Sequence, residues 1–174
     1  PIWGQKLLSP VQEGYVSAGY KLDSYLSLGH GTHYAIDFYH NLNRTPPLYA
    51  MGVGEIVGQY TYHSLGETLA IKYNNVIAND GTYYDSLIIR YSHLKSIEEI
   101  ENGTIVGIEN QVATMGASRT GAQKKDSVTG ETIFVYHTHL EVSTDTNAPL
   151  STVTEKRPDE INRAIDTTLD PKYI

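Results

Sequence analysis

The chain has 174 residues and a mass of 19.3 kDa, which fits one domain with a sizeable core. Its 13 Lys and Arg against 20 Asp and Glu give a net charge of -7, which disfavours nucleic acid as a partner. No apolar run reaches the roughly 18 residues that a membrane span needs. Because cysteine is absent, disulfides, thiolate catalysis and cysteine zinc sites are excluded, and any metal must be held by histidine and carboxylate.

Short segments rich in Val, Ile, Thr and Tyr predict an all-β domain, an antiparallel sheet with an open groove. Turn signals such as those at 79–81 and 101–103 separate these segments. A helical period occurs only at 158–165, so at most one or two short helices are expected, and the polar stretches 121–132 and 145–156 are predicted to be long loops. The predicted strands, in chain order, are 15–20, 35–39, 54–62, 68–73, 86–93, 104–108 and 133–143.

A histidine pair, His137 and His139, lies in the last predicted strand. Side chains two residues apart in a strand point to the same side, so these histidines share a face with Glu141, while Leu140 and Val142 point to the other. Two histidines about 6.6 Å apart along a strand can bind one metal, or act as one ligand and one proton acceptor. The pattern is equally compatible with two half-exposed strand histidines that have no catalytic role.

A second motif places His33 and Asp37 four residues apart. On a straight strand this spacing is about 13 Å, too far for both side chains to bind one zinc ion. Glycines at 29 and 31 and the aromatic and branched residues that follow disfavour a helix, so we expect a bend at His33 that turns back toward Asp37. The alternative is that Asp37 caps a turn and His33 is a surface loop residue.

A third motif, Tyr91-x-His93-Leu94, lies between these two in the sequence. Taken in this order, the three motifs resemble the lysostaphin/LytM-like zinc metallopeptidases of family M23. A glycine-bearing strand at 54–57, the stretch at 105–121 and an ending at 169–174 similar to the family's D-P-x-x-Y extend the resemblance. It implies a single M23-like metallopeptidase domain over 1–174, with a core of about 15–174. The motifs that carry the resemblance are His33-x-x-x-Asp37, Tyr91-x-His93-Leu94 and His137-x-His139-Leu140-Glu141-Val142.

Carried over residue by residue, the resemblance makes His33, Asp37 and His139 the ligands of one Zn²⁺ ion, and His137 and His93 the catalytic histidines that do not bind it. Three protein ligands leave a fourth position for water, whose pKa zinc lowers from about 15.7 toward about 7. Because the chain has no H-E-x-x-H helix to supply a glutamate base, we expect His137 to take the proton from this water. His93 would orient the reacting group or stabilise the developing oxyanion.

The resemblance implies a zinc-dependent endopeptidase that hydrolyses peptide crosslinks in bacterial cell-wall peptidoglycan, outside the cytoplasm in the wall, the periplasm or the medium. The alternative is a catalytically silent M23-like scaffold or activator of a cell-envelope complex. Silent members typically lose ligand or catalytic positions, so the presence of all five residues here favours the enzyme. The chain begins at Pro1 without a signal peptide, and we expect a mature form or excised domain whose localisation depends on an upstream anchor or regulatory domain.

The chain also departs from the family pattern. Ala35 stands where the family usually has glycine, and the segment between Gly121 and His137 is longer than in compact members. This segment either walls the substrate groove or is a solvated surface loop. The histidines without a counterpart in the motifs are His30, His40 and His63.

Overall fold

A computed structural model describes residues 4–12, 14–20, 35–40, 42–62, 65–118, 123–125, 128–130, 132–134, 136–146, 168–171 and 174. The described residues form twelve β-strands and contain no α-helix, which confirms the predicted all-β fold. This part of the chain holds no helix long and apolar enough to cross a membrane. The helix predicted at 158–165 lies outside the described residues. The strands are β1 (Gly14–Ala18), β2 (Ile36–His40), β3 (Pro47–Tyr49), β4 (Gly54–Tyr62), β5 (Gly66–Ile77), β6 (Tyr83–Ile97), β7 (Ile105–Val106), β8 (Gln111–Met115), β9 (Gln123–Lys125), β10 (Thr132–Phe134), β11 (Thr138–Ser143) and β12 (Thr168–Leu169).

The strands build one large open sheet and one small hairpin. The main path of the ten-stranded sheet runs β1-β2-β11-β6-β5-β4-β7, and all neighbours along it are antiparallel. β12 pairs with β11, and β8 pairs with both β3 and β6, while β9 and β10 form the separate two-stranded sheet. β11, which follows His137, therefore lies between β2 and β6 in the middle of the sheet.

The antiparallel register puts a continuous apolar row across the centre of the sheet. Leu140 of β11 pairs with Ile36 of β2 and with Tyr91 of β6, and Tyr91 pairs in turn with Leu69 of β5. All four side chains are at most 4% exposed, so this row forms the middle of the core. Other fully buried side chains that pack with it are Leu48, Ile56, Ile71, Leu87, Ile89, Val112, Met115 and Val142.

Several strands differ from their predicted bounds. β4 occupies the predicted 54–62, whereas β5 and β6 extend well past the predicted 68–73 and 86–93. These two strands form one hairpin, closed by a turn in which the Ala78 N–H donates to the Thr82 carbonyl at 2.8 Å. Polar residues near the hairpin tip interrupt the apolar alternation, although the backbone ladder continues through them.

The sequence pattern also misses short strands and a break between two sheets. β3 has three residues and starts with a proline, so it lacks a periodic signal, and it is defined only by its pairing with β8. The predicted strand 133–143 is in fact β10 and β11, which belong to different sheets. β9 lies inside the predicted loop 121–132, because its residues pair with β10. In each of these cases, pairing with another strand determines where the strand lies and to which sheet it belongs.

A chain of hydroxyl groups crosses the core. The Met51 N–H donates to the Tyr73 hydroxyl at 2.9 Å, the Tyr73 and Tyr91 hydroxyl oxygens lie 2.8 Å apart, and the Tyr91 hydroxyl donates to the Tyr49 carbonyl at 3.3 Å. Burial raises the pKa of Tyr73 to about 12 and raises the pKa of Tyr91 well above 10.0. Both phenols therefore stay neutral, and each of these two buried hydroxyl groups has a hydrogen-bond partner.

We expect Tyr73→Phe to lower the free energy of unfolding by about 1–3 kcal/mol, because the buried Met51 N–H loses its acceptor. Urea denaturation measures the change. Tyr15→Phe is the matched control, since Tyr15 is 51% exposed and its loss should cost less than about 0.5 kcal/mol. Equal losses in the two variants would contradict a structural role for the hydroxyl chain.

Candidate active site

Four of the five predicted site residues lie in the described part of the chain, and the fold brings them together. Asp37 lies in β2, His93 in β6 and His139 in β11, and His137 immediately precedes β11. Asp37 is 4% exposed, and His93 and His137 are each 7% exposed. The fifth residue, His33, lies outside the described residues.

The register of three central strands sets the floor of the site. His139 of β11 pairs with Asp37 of β2 on one side and with Ser92 of β6 on the other. Each of the three is next in its strand to a residue of the central apolar row. Because successive side chains of a strand point to opposite faces, Asp37, His139 and Ser92 lie on the face of the sheet opposite the apolar row.

The Asp37 carboxylate lies between two imidazoles. Its Oδ1 is 3.3 Å from Nδ1 of His139, and its Oδ2 is 3.8 Å from Nε2 of His137. The His93 ring centroid lies 4.8 Å from that of His137 and 5.9 Å from that of His139. One carboxylate and three imidazoles therefore form a compact cluster in which protons can be exchanged.

Asp37 and His139 supply one oxygen donor and one nitrogen donor of the predicted zinc set. Among the described residues, no group of three or more His, Cys, Asp or Glu side chains is arranged to hold a metal ion. The predicted set requires His33 as its third member. Its mixed nitrogen and oxygen donors are of the type that Zn²⁺ takes in proteins, so the residues fit a zinc site.

His93 enters the cluster through an unusual backbone conformation. Its φ is 60°, a left-handed value that costs a non-glycine residue of the order of 1–3 kcal/mol. The regular pairing of β6 is interrupted here, with register shifts against both β5 and β8. The His93 N–H donates instead to the Leu65 carbonyl at 2.8 Å, and its Nδ1 lies 2.7 Å from the Ser118 carbonyl oxygen. Strain of this kind is common at functional sites.

The surroundings of His93 favour the neutral ring. The pKa of His93 is lowered from 6.5 to about 4, mainly by burial and then by the neighbouring His137 and His139. The Ser118 carbonyl and the Asp37 carboxylate act in the opposite direction but are outweighed. His93 is therefore unprotonated at neutral pH, as an acceptor of protons or hydrogen bonds must be.

We expect His93 to make the metal-free fold sensitive to acid. The unfolded chain takes up a proton near pH 6.5, whereas the folded chain does so only near pH 4, so the contribution is present above pH 6.5 and is lost as the pH falls toward 4. Between pH 7 and 5 this loss amounts to about 2 kcal/mol. Urea denaturation in chelator at both pH values should show that His93→Gln loses about 2 kcal/mol less than wild type. Equal losses would refute the prediction.

Gly116 lies between the His137 backbone and the end of β6. Its carbonyl accepts the His137 N–H at 3.2 Å. A Cβ at position 116 would lie 2.5 Å from the Lys95 backbone nitrogen and 2.8 Å from Lys95 Cα. Because Lys95 lies two residues after His93, the missing side chain lets the segments that carry the two predicted catalytic histidines pack together.

We expect Gly116→Ala to lower the free energy of unfolding by about 1–3 kcal/mol, because the new methyl group can be accommodated only by moving the backbone of β6. Gly107→Ala is the matched control, since the nearest atom to a Cβ there lies 3.9 Å away. Urea denaturation of both variants measures the change in the free energy of unfolding. The prediction is wrong if the two variants lose the same amount.

Buried polar side chains continue from the site along the same face. Thr68 Oγ1 lies 3.1 Å from Ser92 Oγ, and Ser92 pairs with His139. Arg90 and Glu141 pair across β6 and β11 and are 0% and 1% exposed. Opposite charges side by side lower the cost of burying each of them. The sequence pattern does not single out Thr68, Ser92 or Arg90; the charge of Arg90 within an apolar run was the available signal.

The remaining histidines were not expected to belong to the site. The His40 ring caps the turn after β2, where its Nδ1 accepts the N–H groups of Leu42 at 3.1 Å and Asn43 at 3.0 Å. His30 and His63 lie outside the described residues.

Comparison of the sequence with protein-family models and with curated proteins finds no match. The fold, however, is similar to solved structures. A zinc-containing peptidase from Vibrio cholerae matches with a TM-score of 0.55 and 22% identity over 80% of this chain, and this chain spans 37% of that peptidase. The catalytic domain of the antimicrobial peptidase lysostaphin from Staphylococcus simulans matches with a TM-score of 0.52 and 20% identity over 93% of this chain and 90% of that domain.

A chain of the SpoIIQ–SpoIIIAH pore-forming complex also shares the fold. The TM-score is 0.57 and the identity 14%, over 84% of this chain and 89% of that chain. The molecule therefore has a lysostaphin-like fold, as predicted, and this fold occurs both in peptidases and in a pore-forming assembly.

Proposed function

We propose that this chain is a zinc-dependent endopeptidase of the M23 type that hydrolyses peptide crosslinks in bacterial cell-wall peptidoglycan. The observation that carries the proposal is the convergence of Asp37, His93, His137 and His139 from separate strands into one cluster. These are the positions that the sequence motifs assign to the metal and to proton transfer. A fold shared with two solved peptidases supports the same assignment.

In this proposal His33, Asp37 and His139 hold one Zn²⁺ ion. When bound, zinc supplies a Lewis acid that polarises the scissile carbonyl and makes water easier to deprotonate at neutral pH. The side chains of the protein carry out the proton transfers. Burial of Asp37 strengthens its electrostatic interactions, because little water is present to screen them.

His137 takes the proton from the attacking water. Its Nε2 lies 3.8 Å from the Asp37 carboxylate, and this negative charge stabilises the imidazolium that forms. His93 assists, with its ring 4.8 Å from the His137 ring. The protonated His137 can then return its proton to the leaving amine, which completes hydrolysis of the peptide bond.

The substrate class and the site of action, outside the cytoplasm in the wall, the periplasm or the medium, rest on the motif resemblance. The similar fold of lysostaphin, an antimicrobial peptidase, supports a peptide substrate. An upstream anchor or regulatory domain remains part of this proposal.

Digestion of purified peptidoglycans with different peptide bridges tests the proposal. Zinc-loaded chain and chelator-treated chain are incubated with each wall type, and newly released amino groups are counted. We expect zinc-dependent release from at least one wall type. No release from any of them, with bound zinc verified, would overturn the enzyme proposal.

The second candidate is a catalytically silent scaffold or activator of a cell-envelope complex. The similar fold in the SpoIIQ–SpoIIIAH pore-forming complex favours it. A scaffold has no reaction to lose, so it predicts no difference between zinc-loaded and chelated chain in the digestion experiment. The intact set of site residues favours the enzyme.

A further inference from the structure

Ser118 makes two hydrogen bonds, one with His93 and one with Glu67. Its carbonyl oxygen lies 2.7 Å from His93 Nδ1, and its hydroxyl oxygen accepts the Glu67 N–H at 3.1 Å. Ser118 follows β8, whereas Glu67 lies in β5, so the side-chain bond ties the loop after β8 to the neighbouring strand. The carbonyl is thereby held next to Nδ1 of the His93 ring.

Gly66 makes this approach possible. Its φ is 65°, and a Cβ at this position would lie 2.6 Å from the Ser118 carbonyl oxygen and would also overlap the Ser118 hydroxyl. The preceding residue, Leu65, accepts the His93 N–H at 2.8 Å. The same short turn therefore holds the His93 backbone through Leu65 and leaves room for the residue that contacts the ring.

The contact determines which ring nitrogen carries a proton. A carbonyl oxygen can only accept a hydrogen bond, so the bond at 2.7 Å requires a hydrogen on His93 Nδ1. In the neutral ring, Nε2 then carries a lone pair and no hydrogen. His93 can accept an O–H hydrogen bond through Nε2, but it cannot donate one to an oxyanion from that nitrogen while it is neutral.

We propose that Ser118, seated on Gly66, is a positioning residue that holds His93 in the Nδ1–H tautomer, with Nε2 available as an acceptor. The catalytic consequence rests on the proposed peptidase function: His137 takes one proton of the attacking water, and His93 orients this water by accepting a hydrogen bond from its other O–H group. The tautomer itself can be measured without any activity.

Variants of the two contact residues separate this role from a general effect on folding. Ser118→Ala removes the hydroxyl that anchors the loop. Ser118→Thr keeps a hydroxyl and should therefore keep the wild-type tautomer of His93. Gly66→Ala pushes Ser118 away from the ring. Its matched control is Gly81→Ala, which introduces a side chain at a φ of 89° where no atom lies within 4 Å of the new Cβ.

The experiment is ¹⁵N NMR of the imidazole rings, with His93 assigned by its loss in His93→Gln, combined with zinc content and steady-state kinetics. We expect the Nδ1–H tautomer of His93 in wild type and Ser118→Thr, and a mixture of tautomers in Ser118→Ala and Gly66→Ala. In the last two, kcat should fall about 10- to 100-fold with KM changed less than about twofold and zinc retained. Gly81→Ala should behave as wild type in every measurement.

An Nε2–H tautomer in the wild type would overturn the proposal, and so would unchanged His93 resonances in Ser118→Ala, whether or not kcat falls. If the tautomer is held in wild type and lost in Ser118→Ala, but no peptidoglycan is cleaved by either, the positioning role stands and the proposed peptidase function fails. The two proposals can therefore be refuted independently.

Discussion

Replacing His139 with alanine should empty the zinc site. We expect wild type to bind about one Zn²⁺ ion per chain and the variant to bind almost none, because the proposed site has three protein ligands and two cannot hold the metal tightly. Hydrolysis of peptidoglycan should be lost with the metal. Metal analysis after extensive dialysis, followed by the amino-group assay, measures both effects.

His40→Ala is the matched control for this experiment. It removes a histidine that caps a turn after β2 and has no predicted role in the site. It should keep the metal and the activity. Zinc that stays near one ion per chain in His139→Ala would show that the ligand assignment is wrong, and His30 or His137 would become the candidate.

His137→Ala should keep the zinc and lose most of the activity. A base two residues from a ligand can reach the attacking water without being needed to hold the metal. Loss of a general base typically costs about 10²–10⁴-fold in rate, and we expect kcat to fall within this range. Kinetics on the wall type that is cleaved fastest, with the metal content measured on the same sample, give the result.

The comparison variant for His137→Ala is His93→Ala, because the two rings are neighbours in the same cluster. If His137 is the base and His93 assists, His137→Ala should be the slower enzyme. A His137→Ala variant that cleaves at nearly the wild-type rate would remove this residue from the mechanism and transfer the role of base to His93.

The fold by itself does not choose between the two candidate functions. Solved structures that share it include a lysostaphin catalytic domain and a chain of a pore-forming complex. The choice depends on the side chains of the site, as it does for other folds that carry several functions. Here the described carboxylate and imidazoles lie close enough to act together, and this supports the proposed enzyme over the scaffold.

Local sequence patterns were sufficient for the fold class and for choosing candidate site residues. Apolar alternation and turn residues predict an antiparallel all-β domain, and the central strands occur where the pattern puts them. The spacing of His139 and Glu141 puts them on one face of β11, because alternation of side chains is a property of consecutive residues. The spacing of His33 and Asp37, by contrast, left two readings open, and the position of His33 stays a prediction.

Only the tertiary structure decided how the separate motifs meet. Asp37 faces His139 because β2 and β11 pair in one register, and a shift by one residue would turn the histidine toward the core. His93 enters the cluster through a left-handed backbone and contacts with Leu65 and Ser118, which no periodicity encodes. Strand register, the interruption of β6 and the close approach of Ser118 to Gly66 all join segments far apart in the chain. Their energies depend on packing between these segments, and this is why the sequence pattern could propose candidate site residues but not their arrangement.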